Sequence, residues 1–332
     1  MNNQYQELCA TLYNVTKNNF ESIALSIFAY QAQNNPLYQK FLQLLNVLPQ
    51  QVTKIEQIPF LPLAFFKEHT IKTADWKTVA TFRSSGTTLQ QPAQHHIRCL
   101  DSYRKLSIQA FEQQYGSLED YVVLGLLPSY LEQGNSSLVY MVEQFVAVSR
   151  QAESGFFLHD FEALAQTIKN CEKQQKKILL IGVTYALLDF AAAYPMALKQ
   201  TIVMETGGMK GRRKEMTKAA IHEVLQTAFE VPQIHSEYGM TELLSQAYSQ
   251  GKGIFEPSAT MRVLVREATD PFHYLPVGKS GGLNIIDLAN IDSCAFLATD
   301  DLGRLQPNGQ FEVLGRLTAS DLRGCNLLIG EQ

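Results

Sequence analysis

The chain has 332 residues, of which 45% are hydrophobic and 18% are charged, and its formal net charge at pH 7 is −4. This composition is typical of a soluble globular protein with one large domain or two. The slight negative charge gives no attraction to nucleic acid, and no apolar run approaches the roughly 18 residues that a membrane helix needs. The first residues lack the cationic and apolar regions of a signal peptide, so we expect a cytoplasmic protein.

Five cysteines are scattered along the chain without CxxC spacing. An odd number of unpatterned cysteines fits a reducing compartment better than a disulfide or zinc framework. We therefore interpret them as candidate free thiols, and they are Cys9, Cys99, Cys171, Cys294 and Cys325.

The first third of the chain has a helical pattern. Apolar residues at three- and four-residue spacing predict helices over residues 20–34 and 36–48. Prolines then bound the stretch 58–66, which we predict to be an extended connector.

From about residue 120, apolar strand-like runs alternate with helical patterns. Three such runs are predicted as strands, at 121–127, 177–183 and 201–205. Each precedes a predicted helix, at 136–148, 186–193 and 211–229. Repeated strand-then-helix units predict a mostly parallel sheet flanked by helices.

After residue 242 the helical period fades into short strand-like runs. They lie at 261–266, 282–287 and 295–298. Residues 303–305 and 310–314, joined around Asn308-Gly309, form a hairpin pattern. We expect a small antiparallel β subdomain here.

A hydroxyl-rich loop around one glycine follows Arg83. Gly86 can adopt a positive φ, so that successive backbone N–H groups converge on an oxyanion while neighbouring hydroxyls donate to phosphate oxygens. The candidate phosphate-binding residues are Ser84, Ser85, Gly86, Thr87 and Thr88. A solvated turn of the same composition is the alternative interpretation.

A second candidate motif combines an aromatic ring, a glycine, a hydroxyl and a carboxylate in five positions. Tyr238 could stack on a base, and Gly239 would let the backbone approach a ligand. Thr241 can donate to phosphate, and Glu242 could hold Mg²⁺, which prefers a carboxylate together with substrate phosphates. The alternative is a helix that begins here, with Thr241 as its cap.

The two segments, in this order, resemble motifs of the adenylate-forming superfamily, which includes acyl-CoA synthetases, peptide-synthetase adenylation domains and luciferases. Residues 84–88 are similar to its phosphate loop, and 238–242 to its Tyr-Gly-x-Thr-Glu motif. Thr299-Asp300-Asp301-Leu302-Gly303 resembles its Thr-Gly-Asp-Leu-Gly motif. Gly315-Arg316 and Arg323-Gly324 resemble the residues that flank its hinge.

This resemblance implies ATP as a substrate and Mg²⁺ as a cofactor. It implies that Asp301 binds the ribose hydroxyls, that Arg316 contacts the nucleotide, and that the backbone of Gly207 and Gly208 lines the adenine. It also implies the superfamily's α/β large-domain fold. Histidines beside these motifs, His95, His96 and His235, are interpreted as packing or hydrogen-bonding residues, because a carboxylate is already ionised and needs no general base.

Several further segments narrow the resemblance to the acyl-protein synthetase family, the fatty-acid-activating subunit of the bacterial luminescence fatty-acid reductase complex. They are 58–67, 127–130, 135–138 and 205–212. The resemblance implies an acid–thiol ligase that converts a fatty acid to acyl-AMP and passes the acyl group to Cys325 as a thioester. It implies as partner an acyl-receiving protein, such as an acyl-CoA-reductase-like subunit or a carrier protein.

The sequence also departs from the superfamily. Leu89 stands where the phosphate loop has a second glycine, and no lysine follows Pro92. We expect the usual carboxyl-terminal domain, which carries a catalytic lysine, to be absent, and another basic residue to balance charge on the α-phosphate. The cluster at 210–214 could supply it, or could be a solvated helix start.

We expect three units along the chain. Residues 1–242 would form the helical amino-terminal segment and the α/β adenylation core, 243–314 the β-rich subdomain, and 315–332 a hinge-like tail that carries the acyl-acceptor cysteine. Two other functions stay open at this point. One is an acyl-adenylate-forming ligase that delivers to CoA or a carrier protein without using Cys325, and the other is a degenerate nucleotide-binding partner in a complex.

Overall fold

The computed structural model describes residues 3–84, 91–127, 134–207 and 216–317. Its helices are α1 Asn3–Thr11, α2 Phe20–Asn34, α3 Pro36–Leu44, α4 Phe65–Glu68, α5 Leu100–Tyr115, α6 Ser137–Ser149, α7 Phe161–Lys173, α8 Thr184–Ala193 and α9 Lys218–Phe229. Its strands are β1 Leu61–Pro62, β2 Ala80–Arg83, β3 Gln94–Ile97, β4 Tyr121–Leu126, β5 Gly155–Phe156, β6 Lys177–Val183, β7 Thr201–Thr206, β8 His235–Tyr238, β9 Ala247–Ser249, β10 Ile254–Pro257, β11 Met261–Arg266, β12 Ser280–Asp287, β13 Phe296–Leu305 and β14 Phe311–Arg316.

The parallel part of the sheet has the order β5-β4-β6-β7-β8. All six residues of β4 are buried, as are all but the first of β6. Helices cover these strands on both sides, which is why their sequences are continuous apolar runs rather than alternating ones. The predicted α/β fold with a mostly parallel central sheet is confirmed.

The same sheet continues through antiparallel pairs. Strand β9 pairs with β8, and the order then runs β10-β14-β13-β12-β11. The hairpin predicted around Asn308-Gly309 is present as β13 and β14, with Leu305 opposite Phe311. The predicted antiparallel β part is therefore confirmed. Strands β2 and β3 form a separate two-stranded hairpin.

Two hydrophobic cores lie on this framework. One joins the parallel strands to helices α5–α9. The other joins the amino-terminal helices to the antiparallel strands. In this second core, the Phe28 ring lies 5.9 Å from Phe296 in an edge-on arrangement, and the Gln31 amide donates to the Asn290 carbonyl over 2.9 Å. The amino-terminal helices thus pack on the β-rich part, and the division at residue 242 into separate units remains a prediction.

Local differences from the predicted elements have identifiable causes. Helix α3 ends at Leu44 rather than 48, because Asn46 adopts a left-handed conformation with φ of 54°. The stretch 58–66 is not extended throughout, since helix α4 begins at Phe65. Helix α9 begins at Lys218, where the Thr217 hydroxyl accepts from the Ala220 N–H over 3.2 Å and caps it.

Within the described ranges, the helices are too short or too polar to span a bilayer.

Candidate functional site

Ser84 is the first residue of the predicted phosphate loop, and two hydrogen bonds fix its position. Its N–H donates to the Ala93 carbonyl over 3.1 Å, and its hydroxyl oxygen accepts from the Ala93 N–H over 2.9 Å. These bonds extend the β2·β3 ladder beyond Arg83. The hydroxyl hydrogen is not used in either bond and can donate to a ligand. The remaining predicted loop residues, Ser85, Gly86, Thr87 and Thr88, lie outside the described residues.

Tyr238 and Asp301 come together although 63 positions separate them. The Tyr238 hydroxyl donates to Asp301 Oδ2 over 2.7 Å. Asp301 and Arg316 are directly opposite in the β13·β14 ladder, and Arg316 Nε lies 3.6 Å from Asp301 Oδ1. Burial raises the pKa of the Asp301 carboxyl, while Tyr238 and Arg316 act in the opposite direction. A carboxylate with both oxygens held in this way is fixed in orientation.

The Tyr238 ring itself is mostly covered by protein. It packs edge-on against Phe255 and Phe311, with centroid distances of 5.8 Å and 5.4 Å. Burial raises the pKa of its hydroxyl well above the ordinary value, so the group stays protonated and remains a donor. Its exposed fraction is 9%, which leaves a small area for contact with a base.

Thr241 and Glu242 lie in a turn after β8, and the next element is strand β9. The alternative of a helix beginning at Thr241 is therefore wrong. His95 Nδ1 lies 2.9 Å from the Thr241 carbonyl oxygen, and His95 Nε2 lies 2.8 Å from the Ser293 hydroxyl. Since a carbonyl can only accept, Nδ1 carries the proton and donates to it. His95 is thus a hydrogen-bonding residue, as the sequence indicated.

Glu242 is buried within this turn, with an exposed fraction of 8%. Its carbonyl accepts from the Asn290 amide over 2.7 Å, which fixes the backbone. Burial raises the pKa of the Glu242 carboxyl, Lys67 and Arg316 lower it, and Asp300 raises it further. A cation brought to this carboxylate would relieve its desolvation.

Gly207, at the end of β7, has a φ of 69°, a conformation that favours glycine. Its carbonyl oxygen lies 3.0 Å from the Thr184 hydroxyl, which also lies 3.1 Å from Glu205 Oε2. Lys218 Nζ is 2.7 Å from Glu205 Oε1. Burial alone would raise the pKa of Glu205, but His222 and Lys218 offset it and hold this pKa near 2. Gly208 lies outside the described residues.

Sequence reasoning did not find the Thr184–Glu205–Lys218 network. The available signal was a carboxylate, Glu205, at the end of a buried apolar strand, where an unpaired charge would be costly. Its partners lie on helices α8 and α9, and neither is marked by a motif.

Gly239 has a packing requirement of its own. A Cβ at this position would meet Glu237 Oε1, the end of a side chain, so a larger residue here requires Glu237 to shift. Glu237 is buried and accepts from the Thr206 hydroxyl on the neighbouring strand. Burial raises the pKa of Glu237 to about 7.

The described site residues converge at the carboxyl ends of the parallel strands β7 and β8, where open α/β sheets bind ligands. His95 joins the hairpin that carries Ser84 to the turn at Thr241. Strands β13 and β14 bring Asp301 and Arg316 to Tyr238. Within the part of the chain that is described, no group of three or more His, Cys, Asp or Glu side chains could hold a metal by itself. A single carboxylate, Glu242, suits Mg²⁺ that arrives with nucleotide phosphates.

The fold is that of the adenylate-forming ligases. ATP-bound MatB from Rhodopseudomonas palustris has a TM-score of 0.55 at 15% identity, over 74% of this chain and 50% of MatB. The chain thus spans about half the length of MatB. A 2-hydroxyisobutyryl-CoA ligase in the postadenylation state, in complex with R3-HIB-AMP, has a TM-score of 0.64 at 12% identity, over 91% of this chain and 68% of that one.

Comparison with related sequences identifies the family within this class of fold. The long-chain-fatty-acid--luciferin-component ligase of Vibrio harveyi is 24% identical over an alignment of 340 residues that covers 92% of this chain and 85% of that protein. The family profile "Acyl-protein synthetase, LuxE" matches residues 10–332. The chain belongs to the LuxE family of acyl-protein synthetases and is a ligase.

The Thr184 hydroxyl has one hydrogen for two acceptors, the buried Glu205 carboxylate and the partly buried Gly207 carbonyl, so its loss should be costly. We expect Thr184→Val to lower the free energy of unfolding by about 1–3 kcal/mol, because Glu205 and the Gly207 carbonyl lose their shared donor. Thr184→Ser keeps the hydroxyl and is the matched control. Urea denaturation of the three proteins measures the effect, and equal stability of the valine and serine variants would exclude this role for the hydroxyl.

His95 should make the protein sensitive to acid. Burial lowers its pKa from 6.5 to about 4, so below pH 6.5 the unfolded chain takes up a proton that the folded protein does not. The stabilisation is complete above pH 6.5 and is lost as pH falls toward 4, by up to about 1.4 kcal/mol per pH unit. Urea denaturation at several pH values should show a smaller dependence in His95→Gln. The same dependence of the free energy of unfolding on pH in both proteins would contradict the expectation.

Proposed function

We propose that this chain uses ATP to convert a fatty acid to its acyl-adenylate and then accepts the acyl group on Cys325 as a thioester. The observation that carries the proposal is the convergence of Glu242, Asp301 and Arg316 around Tyr238 at one end of the sheet. The family and the name of the Vibrio harveyi relative support a long-chain fatty acid as the substrate.

The residues have distinct roles in this proposal. Asp301, oriented by Tyr238 and Arg316, accepts from the ribose hydroxyls. The backbone of Gly207 and Gly208 faces the adenine, and Ser84 with the loop up to Thr88 donates to the phosphates. Thr241 donates to the α-phosphate. Glu242 would hold Mg²⁺, which supplies positive charge to the phosphate oxygens.

The first half-reaction is an in-line displacement. A carboxylate oxygen of the fatty acid attacks the α-phosphorus, a new O–P bond forms, and the bond to the bridging oxygen breaks so that its electron pair leaves with pyrophosphate. No proton has to be removed, because the carboxylate is ionised at neutral pH. The protein's contribution is positioning and charge stabilisation.

The second half-reaction transfers the acyl group. The Cys325 thiolate attacks the acyl carbon of the mixed anhydride, the C–O bond to AMP breaks, and AMP leaves with the electron pair. Cys325 lies outside the described residues. Two of the other cysteines, Cys171 and Cys294, are buried, and burial raises their pKa values, to about 12 for Cys294. Such thiols are poor nucleophiles at neutral pH.

Delivery of the acyl group to a partner protein completes the proposed function, with the protein acting in the cytoplasm. The test uses purified protein, ATP, Mg²⁺ and fatty acids of graded length. We expect fatty-acid-dependent ATP–pyrophosphate exchange and acylation of the protein that hydroxylamine reverses. Exchange without acylation would favour delivery to CoA or a carrier protein, and no exchange with any acid would favour a nucleotide-binding subunit.

A further inference from the structure

Helix α4 begins beside the strand that carries Asp301. Strand β1, just before it, runs parallel to β13, with Leu61 opposite Leu297 and Pro62 opposite Ala298. The Leu63 N–H then donates to the Ala298 carbonyl over 3.1 Å. The chain therefore enters α4 next to the residues that lead into Asp301, and this position was not visible in the sequence.

A second contact ties α4 to the turn at Thr241. Phe66 is 1% exposed, and its ring lies edge-on against His95 with 5.4 Å between centroids. His95 in turn holds the Thr241 carbonyl over 2.9 Å. Helix α4 is thus fixed between the two motif segments, and Lys67 immediately follows the buried anchor.

Lys67 is exposed, and the described part of the chain offers its ammonium group no carboxylate within 4 Å. It is nevertheless the cation with the largest effect in lowering the pKa of Glu242. Arg316 is the next, but Arg316 is engaged with Asp301 at 3.6 Å. Asp300 also acts on Glu242, so the site has three carboxylates, which are Glu242, Asp300 and Asp301. Lys67 is a cation at this site that is still able to bind an anion.

We propose that Lys67 is a catalytic residue of the adenylation step, where its ammonium group contacts the phosphates of ATP and stabilises the charge that develops around the α-phosphorus. The inference rests on the proposed function, since it requires ATP at this site. It assigns a positive charge at the phosphates to the amino-terminal segment rather than to the basic cluster at 210–214.

The chemistry suits a lysine. The ammonium is a compact charge with three donors, and its stem of four methylenes can reach a phosphate from a fixed helix. In the proposed step Lys67 acts as a fixed positive charge. It neither forms nor breaks a covalent bond, and it acts on the oxygens whose charge rises as pyrophosphate leaves.

The first test compares charge removal at two exposed lysines. Lys67→Gln should lower kcat for fatty-acid-dependent ATP–pyrophosphate exchange by roughly 100-fold, the usual effect of removing one electrostatic contact to a transition state. Lys40→Gln on α3 changes the net charge equally and should exchange at the wild-type rate. Lys67→Arg keeps a cation and should recover most of the loss. Exchange by Lys67→Gln within twofold of wild type would overturn the inference.

A second test needs no variant. Wild-type protein is treated with an amine-acetylating reagent, with and without Mg·ATP, and modification is quantified by peptide mass spectrometry. Lys67 should be protected by nucleotide while Lys40 is not, and equal modification of Lys67 in both conditions would overturn the inference. If wild-type protein shows no exchange, the proposed function fails, and the protection pattern still decides whether Lys67 contacts ATP. If wild type exchanges and Lys67→Gln does too, only the inference on Lys67 fails.

Discussion

Replacing Cys325 with serine should abolish hydroxylamine-sensitive acylation of the protein while leaving ATP–pyrophosphate exchange at the wild-type rate. In the proposed mechanism the two half-reactions use different groups, since exchange needs the nucleotide site and only the transfer step needs the thiolate. A serine hydroxyl is far less nucleophilic at neutral pH, so the labelled acyl group should remain as acyl-adenylate.

The measurement is radiolabelled fatty acid incorporation alongside exchange on the same preparations. Cys99→Ser is the matched control, because Cys99 is an exposed cysteine of the same chain. The control should be acylated normally. A Cys325→Ser protein that still carried a hydroxylamine-labile acyl group would show that another residue accepts it.

Glu242→Gln should lower the exchange rate by roughly 100-fold without unfolding the protein. The substitution removes the negative charge with which Glu242 would hold Mg²⁺ and keeps nearly the same volume. Because burial raises the pKa of this carboxyl, a neutral side chain is tolerated here, and we expect the thermal unfolding midpoint to stay at or above that of wild type.

Glu223→Gln, on the exposed face of α9, is the control for loss of one carboxylate. It should exchange normally. Exchange is measured over a range of Mg²⁺ concentrations, and a shift of the requirement to higher Mg²⁺ in Glu242→Gln is the expected signature. A wild-type exchange rate of Glu242→Gln at low Mg²⁺ would show that Glu242 does not bind the metal.

Much of the sheet could be predicted from the sequence, for a physical reason. The parallel strands are buried on both faces, so each appears as a continuous apolar run, and β4, β6 and β7 lie where those runs predicted them. Helix α2 matches its predicted bounds, because its apolar spacing is regular and Asn35 with Pro36 follows it. The motifs also predicted Tyr238, Glu242 and Asp301 as residues of one site, and their roles there remain a prediction.

What could not be predicted depends on pairings between distant segments. The bond from Tyr238 to Asp301 follows from β13 and β8 lying in one sheet, and no local pattern encodes that register. The stretch 58–66, which includes the start of helix α4, was predicted as extended chain. The position of α4 could not be predicted, because it is set by the pairing of β1 with β13. The Thr184–Glu205 contact joins a helix to a strand end with no motif at either residue.

The packing of the amino-terminal helices on the antiparallel strands has a consequence for how the protein is made. Gln31 bonds to Asn290 across 259 positions, and Phe28 packs on Phe296. During synthesis the apolar faces of α2 and α3 emerge well before the strands that cover them, because a long stretch of chain separates the two. Contacts of such high sequence separation form slowly, and exposed apolar helices favour aggregation meanwhile. We therefore expect the amino-terminal helices to reach their native packing only after β12 and β13 have left the ribosome.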